Sequence, residues 1–219
     1  MLQKRSMVQI AAMALIGVSA SCQLLYHKPK PLMSESVIAS PDIYESQEDK
    51  LLVIKHQSSL KNIYDNIRNQ FSPGTLEFFL ISGLCFRKLQ LKNTYDTYLS
   101  INTRSSTFFS ADESNFEKRA SQIFTTYSKP LLSIAASEKT MVEDDALAGI
   151  MVSTRWNVEK KIKQNYRFTT YEEMNLVVQK KQINDFLSGA ITDQQLLAQS
   201  TIIALNQGES PRMIQLTLE

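Results

Sequence analysis

The strongest local pattern in this sequence is an alternation of period two between residues 150 and 159. The even positions are Ile150, Val152, Thr154, Trp156 and Val158, and the odd positions are Met151, Ser153, Arg155, Asn157 and Glu159. Successive side chains of a β-strand point to opposite faces, so this pattern predicts a strand with one buried face. The fold must therefore contain a sheet that is covered on one side.

Other segments also have strand character. Residues 76–86 are apolar and rich in aromatics on both alternating faces, which is typical of a central strand, although a helix is the alternative for this run. Residues 95–103 alternate in polarity, and we expect them to form a hairpin with the preceding strand. Met174, Leu176 and Val178 predict a further strand, and residues 201–205 and 213–218 predict a closing hairpin.

Helix signals are interspersed with these strands without regular alternation. Ser58 precedes an apolar face of helical spacing, and residues 110–113 have the sequence Ser-Ala-Asp-Glu, a capping box that predicts a helix start. Pro130 is expected to break or kink that helix, Gly189 to end a short helix, and Thr192 to cap another. We predict an α+β fold, with a mainly antiparallel sheet of five or six strands and helices packed on one face.

The first 21 residues have the order of a secretory signal peptide. Lys4 and Arg5 precede an uncharged apolar run at residues 7–18, and small residues follow it. This run is about a dozen residues long, whereas a spanning helix needs roughly 20, so the pattern favours a cleaved leader over a transmembrane segment.

The sequence Val18-Ser19-Ala20-Ser21-Cys22 resembles the lipobox of bacterial lipoproteins, although Ser19 stands where Leu is commonest. The resemblance implies cleavage before Cys22 and attachment of acyl chains to that residue. Gln23, by the same resemblance, points to the outer membrane, with the domain facing the periplasm. Ordinary signal-peptidase cleavage after Ala20 is the alternative, and it would leave Cys22 and Cys85 able to form a disulfide.

The segment after Cys22 differs in composition from the rest of the chain. Residues 23–48 contain three of the six prolines and no sustained apolar period. They predict a flexible tether with a fully extended length of about 90 Å. The predicted organisation is thus a signal peptide at 1–21, a lipidated N-terminus and tether at 22–48, and a single domain at 49–219.

Composition excludes several classes of function. Without Lys4 and Arg5 the 24 basic residues become 22, equal to the 22 acidic residues, so no overall charge favours nucleic acid. Two His and two Cys do not suffice for a His-rich or Cys-rich metal site, and we expect no metal and no cofactor. His56 is expected to be exposed or capping, Cys85 to be a buried core residue, and the acidic run at 143–145 to be a solvated turn.

Two segments are candidates for binding. The first is a predicted strand-to-helix junction with Asn102, Arg104 and Ser105, in which Phe108 and Phe109 are expected to pack into the core and Arg104 to be exposed. The second is a set of cations that could contact an anionic surface, although a solvated rim is the commoner role of such residues. It comprises Arg155, Lys160, Lys161, Lys163 and Arg167.

These observations predict a non-catalytic envelope lipoprotein, an accessory or assembly subunit that binds a protein partner. A tethered hydrolase that uses two carboxylates is an alternative, because the separation of two carboxylates depends on the fold. A carrier of an apolar ligand is another, and it would require a sizeable apolar cavity between sheet and helices.

Replacing Cys22 by Ser tests the lipid anchor. We expect Cys22→Ser to abolish fatty-acid labelling and to release the protein from the membrane fraction, because each buried CH₂ of an acyl chain contributes about 0.8 kcal/mol. Metabolic labelling and membrane fractionation measure both effects. Labelling and membrane retention equal to those of the wild type would contradict the prediction.

Overall fold

The computed structural model describes residues 34–91, 94–163 and 166–218, which belong to one compact unit. The predicted signal peptide, Cys22 and the tether as far as residue 33 lie outside the described residues.

The described residues form one seven-stranded sheet. Its strands are β1 (Leu76–Phe78), β2 (Leu84–Gln90), β3 (Tyr95–Ser110), β4 (Gly149–Lys163), β5 (Tyr166–Gln179), β6 (Thr201–Asn206) and β7 (Arg212–Ile214). β1 and β2 pair with the same edge of β3, one after the other, and β4 to β7 follow in order on its other edge. Only the β3–β4 pair is parallel among these strands. The predicted α+β class and the mainly antiparallel sheet are confirmed, with seven strands instead of five or six.

Eight α-helices are described: α1 (Ser34–Val37), α2 (Gln47–Lys55), α3 (Gln57–Gln70), α4 (Phe116–Ile123), α5 (Lys129–Ala136), α6 (Lys139–Val142), α7 (Lys180–Leu187) and α8 (Asp193–Gln199). A short 3₁₀ turn at Pro41–Ile43 lies between α1 and α2. None of the described helices has the length and apolar character needed to cross a bilayer.

The core lies between one face of the sheet and the helices. Strand residues such as Ile101 and Val152 and helix residues such as Ile63 and Ala120 belong to one buried apolar cluster. Parallel neighbours need a crossover connection, and α4 to α6 supply it between β3 and β4. The predicted packing of helices on one face is confirmed.

Predictions that depend only on neighbouring residues are mostly confirmed. Gly189 has φ +74°, which suits a residue after a helix C-terminus. Thr192 caps α8, since its side chain accepts a hydrogen bond from the Gln195 N–H at 3.3 Å. The strands predicted from residues 150–159 and from Met174, Leu176 and Val178 are β4 and β5, which pair as a hairpin.

Three helix predictions need correction, at residues 58, 110 and 130. Ser58 does not cap α3, because this helix begins at Gln57 after His56 and Ser58 lies inside it. Ser110 is the last residue of β3, not a helix cap, because its pairing with Glu159 extends the strand. α4 begins instead at Phe116, after Asn115, whose side chain accepts from the Lys118 N–H at 2.9 Å. Pro130 lies inside a continuous helix, because a π-helical turn at Phe124–Ser128 joins α4 to α5 just before it.

The folded domain begins earlier than the sequence predicts. Residues 34–48 were expected to belong to the tether, yet Val37 and Ala39 are buried. The Ala39 N–H donates to the Leu84 carbonyl at 2.9 Å, and the Phe86 N–H donates to the Tyr44 hydroxyl at 2.8 Å. The segment between Cys22 and the domain is thereby reduced to residues 23–33.

A buried charge at Val37 tests this boundary. We expect Val37→Asp to lower the free energy of unfolding by several kcal/mol, since Val37 is 0% exposed and a carboxylate there would lack a partner. Ile43→Asp, at a residue 50% exposed, should change it by less than about 1 kcal/mol. Urea denaturation of the two variants measures the difference, and equal stabilities would show that residues 34–48 do not pack on the domain.

Candidate functional site

The face of the sheet opposite the helices is here called the helix-free face. It is built from the alternate strand residues that do not enter the main core, such as Met151, Ser153 and Arg155 in β4. At one end it carries a small apolar cluster of Tyr98, Met151 and Val177. Further along β3 and β4 the residues of this face become polar and charged.

The first predicted binding segment is part of a strand and not a junction loop. Residues 102–110 all lie in β3, because they continue the pairing with β4. Asn102 and Arg104 lie on the helix-free face, and exposed Arg104 donates to Asn157 Oδ1 at 3.1 Å. Ser105 lies on the helix side and is 1% exposed, and its hydroxyl has no hydrogen-bond partner among the described residues. The three residues do not form one surface.

Asn102 holds an apolar loop, residues 79–83, at the edge of this face. Its N–H donates to the Gly83 carbonyl at 2.7 Å, and its side-chain Nδ2 donates to the Ser82 carbonyl at 2.5 Å. Its carbonyl accepts from the Phe79 N–H at 3.2 Å. Both ends of the loop are thus fixed to a single residue of β3.

The apolar loop is exposed and strained at its centre. Leu80 is 58% exposed and Ile81 is 62% exposed. Ile81 has φ +67°, a conformation that is rare for a β-branched residue and costs about 1–3 kcal/mol. Its N–H donates to the Ser36 carbonyl at 2.8 Å, so the start of the domain holds the loop from the other side.

The sequence did not predict this loop. Residues 76–86 were expected to form one central strand, but they form β1, the apolar loop and β2 on the edge of β3. The Ser82-Gly83 pair was the available signal for a turn within the run. A Cβ at position 83 would lie 2.6 Å from Val37 Cγ1, so glycine is required for this close approach.

Arg155 connects the apolar loop to the rest of the helix-free face. Its guanidinium lies 4.8 Å from the centre of the Phe79 ring and 4.3 Å from that of Tyr171. It also donates to Glu173 Oε2 at 2.8 Å, and the Ser153 hydroxyl donates to Glu173 Oε1 at 2.9 Å. The charge of Arg155 is thus neutralised, which contradicts its predicted place among cations available to an anionic surface.

The other predicted cations lie in the β4–β5 hairpin and do not form one patch with Arg155. They are strand residues of β4 and β5. Alternation places Lys160 on the helix side and Lys161 on the helix-free side, and Lys163 lies in β4 in register with Tyr166. Arg167 forms an ion pair with Glu159 at 2.6 Å.

Phe108 and Phe109 have different environments. The prediction that both pack into the core is wrong for Phe108, which is 53% exposed because its register with Asn157 places it on the helix-free face. Phe109 contacts Trp156 edge-on, with ring centres 6.5 Å apart. The prediction that Arg104 is exposed is confirmed.

Two groups with catalytic potential are bound in the interior. His56 was predicted to be exposed or capping, and at 4% exposure the first alternative is wrong. It stands at the N-cap position of α3 without a side-chain cap hydrogen bond, and its Nε2 lies 2.6 Å from Asp144 Oδ2. Glu172 accepts hydrogen bonds from Arg119 Nη2 at 2.6 Å and from Trp156 Nε1 at 3.0 Å. Glu172 joins α4 to the sheet through Arg119, whereas His56 joins the start of α3 to the turn after α6. The partners are far apart in the sequence, so these pairings could not be predicted.

Asp144 belongs to the acidic run that was predicted to be a solvated turn, but its side chain is only 8% exposed. Burial alone would raise the pKa of this carboxyl. Hydrogen bonds from Lys55, from the Ala146 N–H and from His56 outweigh the burial and lower the pKa below its ordinary value.

Cys85 is a buried free thiol, as predicted. Its pKa is raised, chiefly by burial, which disfavours the thiolate that a nucleophile requires. No group of His, Cys, Asp and Glu that could hold a metal occurs among the residues at 34–91, 94–163 and 166–218. Between sheet and helices, residues that include Leu99 and Ile150 line a cavity of about 10 Å³, which has room for a water molecule but not for a lipid.

No protein-family model, curated protein or solved structure matches the chain.

The ionised form of Asp144 should make stability depend on pH. Because its pKa is lower in the folded chain than in the unfolded chain, its contribution is present above about pH 4 and is lost as the pH falls below that value. We expect Asp144→Asn to cost about 1–3 kcal/mol at pH 7 and progressively less toward pH 2. Asp145→Asn, at an exposed neighbour, is the control. Thermal unfolding across this pH range gives the comparison, and a deficit that stays constant would disprove the role of the charge.

Proposed function

We propose that this protein is a non-catalytic lipoprotein of the bacterial envelope, an accessory or assembly subunit that binds a protein partner. The apolar loop at residues 79–83 is the contact site in this proposal. The lipid on Cys22 holds the chain at the outer membrane, and the domain faces the periplasm. The observation that carries the partner-binding part is the exposure of Leu80 and Ile81 in a fixed, strained backbone.

Strain and exposure together favour a role in binding. An exposed apolar tip contributes nothing to the core, and a left-handed isoleucine reduces stability, so neither feature is explained by folding. A loop that is already fixed loses little conformational entropy when a partner covers it. Asn102, predicted to bind directly, acts in this proposal as the support of the loop.

The surroundings of the loop resemble the composition of protein interfaces. The Arg155 guanidinium packs against the ring of Phe79, which belongs to the loop, and against the ring of Tyr171. Aromatic and arginine side chains are enriched at binding hot spots. Exposed Arg104 and Asn157 supply a polar rim on the same face. A partner with an apolar pocket and a polar or acidic margin would complement this arrangement.

Ile81→Gly separates binding from stability. Glycine adopts positive φ without strain, so we expect the variant to be as stable as the wild type or more stable by about 1 kcal/mol. Loss of the side chain should nevertheless weaken partner binding at least tenfold, as at a typical hot spot. Arg104→Ala should weaken binding less and leave the melting temperature within a few degrees.

The partner can be identified with a photo-crosslinking amino acid at position 80 in living cells. Position 213, where Met213 is 72% exposed on the opposite edge of the sheet, is the matched control. We expect a discrete crosslinked protein from position 80 only, whose affinity is then measured with purified wild type and Ile81→Gly. A stable Ile81→Gly variant with wild-type affinity would contradict this site.

A further inference from the structure

The β4–β5 hairpin projects beyond the rest of the sheet. The register of β3 with β4 ends at Ser110 and Glu159, and that of β5 with β6 ends at Glu172 and Asn206. Beyond these points, residues 160–163 and 166–168 pair only with each other and are here called the ribbon. The ribbon therefore has two faces and two edges that no other described strand covers.

The ribbon is basic. Between Lys160 and Phe168 the sequence has four basic residues and no acidic residue. Within the described residues no carboxylate forms an ion pair with Lys160 or Lys161, whereas Arg167 is paired with Glu159. Acidic side chains occur at the base of the ribbon, where Asp112, Glu113 and Glu159 line an open groove together with Lys161 and Arg167.

Exposed aromatic side chains accompany these cations. Tyr166 is 61% exposed and Phe168 is 40% exposed. Phe168 is directly opposite Lys160 in the register, and alternation places Tyr166 on the same face. Aromatic rings beside lysines suit the interface between lipid headgroups and acyl chains, where rings enter the apolar layer and ammonium groups bind phosphates.

Chain length allows the ribbon and Cys22 to reach the same surface. Ile38 forms a β-bridge with Leu84. Leu84 pairs with Ile101, and Ile101 pairs with Val152, so these residues lie at the same height along the strands. From Val152 to Lys163, at the end of the ribbon, β4 extends about 36 Å at 3.3 Å per residue. Residues 23–33 can span about 40 Å between Cys22 and the domain when fully extended. A bilayer that holds the lipid of Cys22 is therefore within reach of the end of the ribbon.

We propose that the ribbon is a second membrane contact, which binds anionic lipid headgroups through Lys160 and Lys161 and places Phe168 and Tyr166 at the bilayer interface. This inference rests on the proposed lipidation of Cys22, which keeps the domain close to the membrane. Contact at two points would orient the domain and its apolar loop relative to the bilayer.

The test uses the full lipidated chain in vesicles. A polarity-sensitive fluorophore is attached through Tyr166→Cys, because lipid occupies Cys22 and Cys85 is buried. With phosphatidylglycerol in the vesicles we expect a blue shift and quenching by a lipid-phase quencher, and with phosphatidylcholine alone we expect neither. The same label at position 187, where Leu187 is 49% exposed at the end of α7, should stay in water.

Charge variants measure how much the two lysines contribute to membrane contact. Lys160→Gln with Lys161→Gln should lower the equilibrium constant for contact roughly 25-fold, at about fivefold per cation, and 0.5 M salt should weaken contact similarly. Lys61→Gln with Lys139→Gln removes the same charge from exposed helix positions and should leave contact unchanged. Thermal melting checks that all variants fold.

Vesicle flotation separates the two proposals. A chain that floats with anionic vesicles but keeps its label in water overturns the ribbon contact and leaves the proposed function standing. A chain that does not float overturns both. Equal shifts in anionic and neutral vesicles, or a shift caused by nucleic acid or an acidic protein in place of lipid, would also overturn the inference.

Discussion

Parallel pairing of β3 with β4 is the constraint from which the rest of the architecture follows. Two parallel neighbours cannot be joined by a tight turn, so the chain between them must cross over one face of the sheet. α4 to α6 make this crossing and cover the apolar side chains of both strands. The opposite face has no described helix packed against it, and its polar and charged side chains are available for other contacts.

The other edge of β3 produces the apolar loop. β1 and β2 pair with successive parts of this edge. The apolar loop lies between them outside the described strand pairing, and Leu80 and Ile81 at its centre are exposed. Hydrogen bonds between Asn102 and both ends of the loop offset the cost of the left-handed Ile81. The central strand thereby holds the exposed apolar loop that is the contact site of the proposed function.

Electrostatic pairing distinguishes two kinds of cation in this domain. Arg119 is buried against Glu172, and Arg155 is held by Glu173 and two aromatic rings, so these arginines fix the positions of helices and side chains. Such pairs contribute mainly to a defined arrangement, because desolvation opposes their mutual attraction. Lys160 and Lys161, near the end of the projecting hairpin, have no comparable described partner, and they are the cations of the proposed membrane contact.

The sequence by itself determined the elements whose signals are local. The alternation at residues 150–158, the glycine at 189 and the cap at Thr192 gave the correct strand, helix end and helix start, because backbone geometry and capping act between near neighbours. It also gave the exposure of Arg104 and the α+β class.

Tertiary structure decided the remaining features. Ser110 became a strand end because it pairs with Glu159, and residues 34–48 became part of the domain because Val37 and Tyr44 pack on β2 and its preceding turn. His56 met Asp144, 88 positions away, and a single apolar run became two strands and a loop. Contacts between distant residues depend on register and packing, and a local pattern of residue types carries no information about which distant partners will meet.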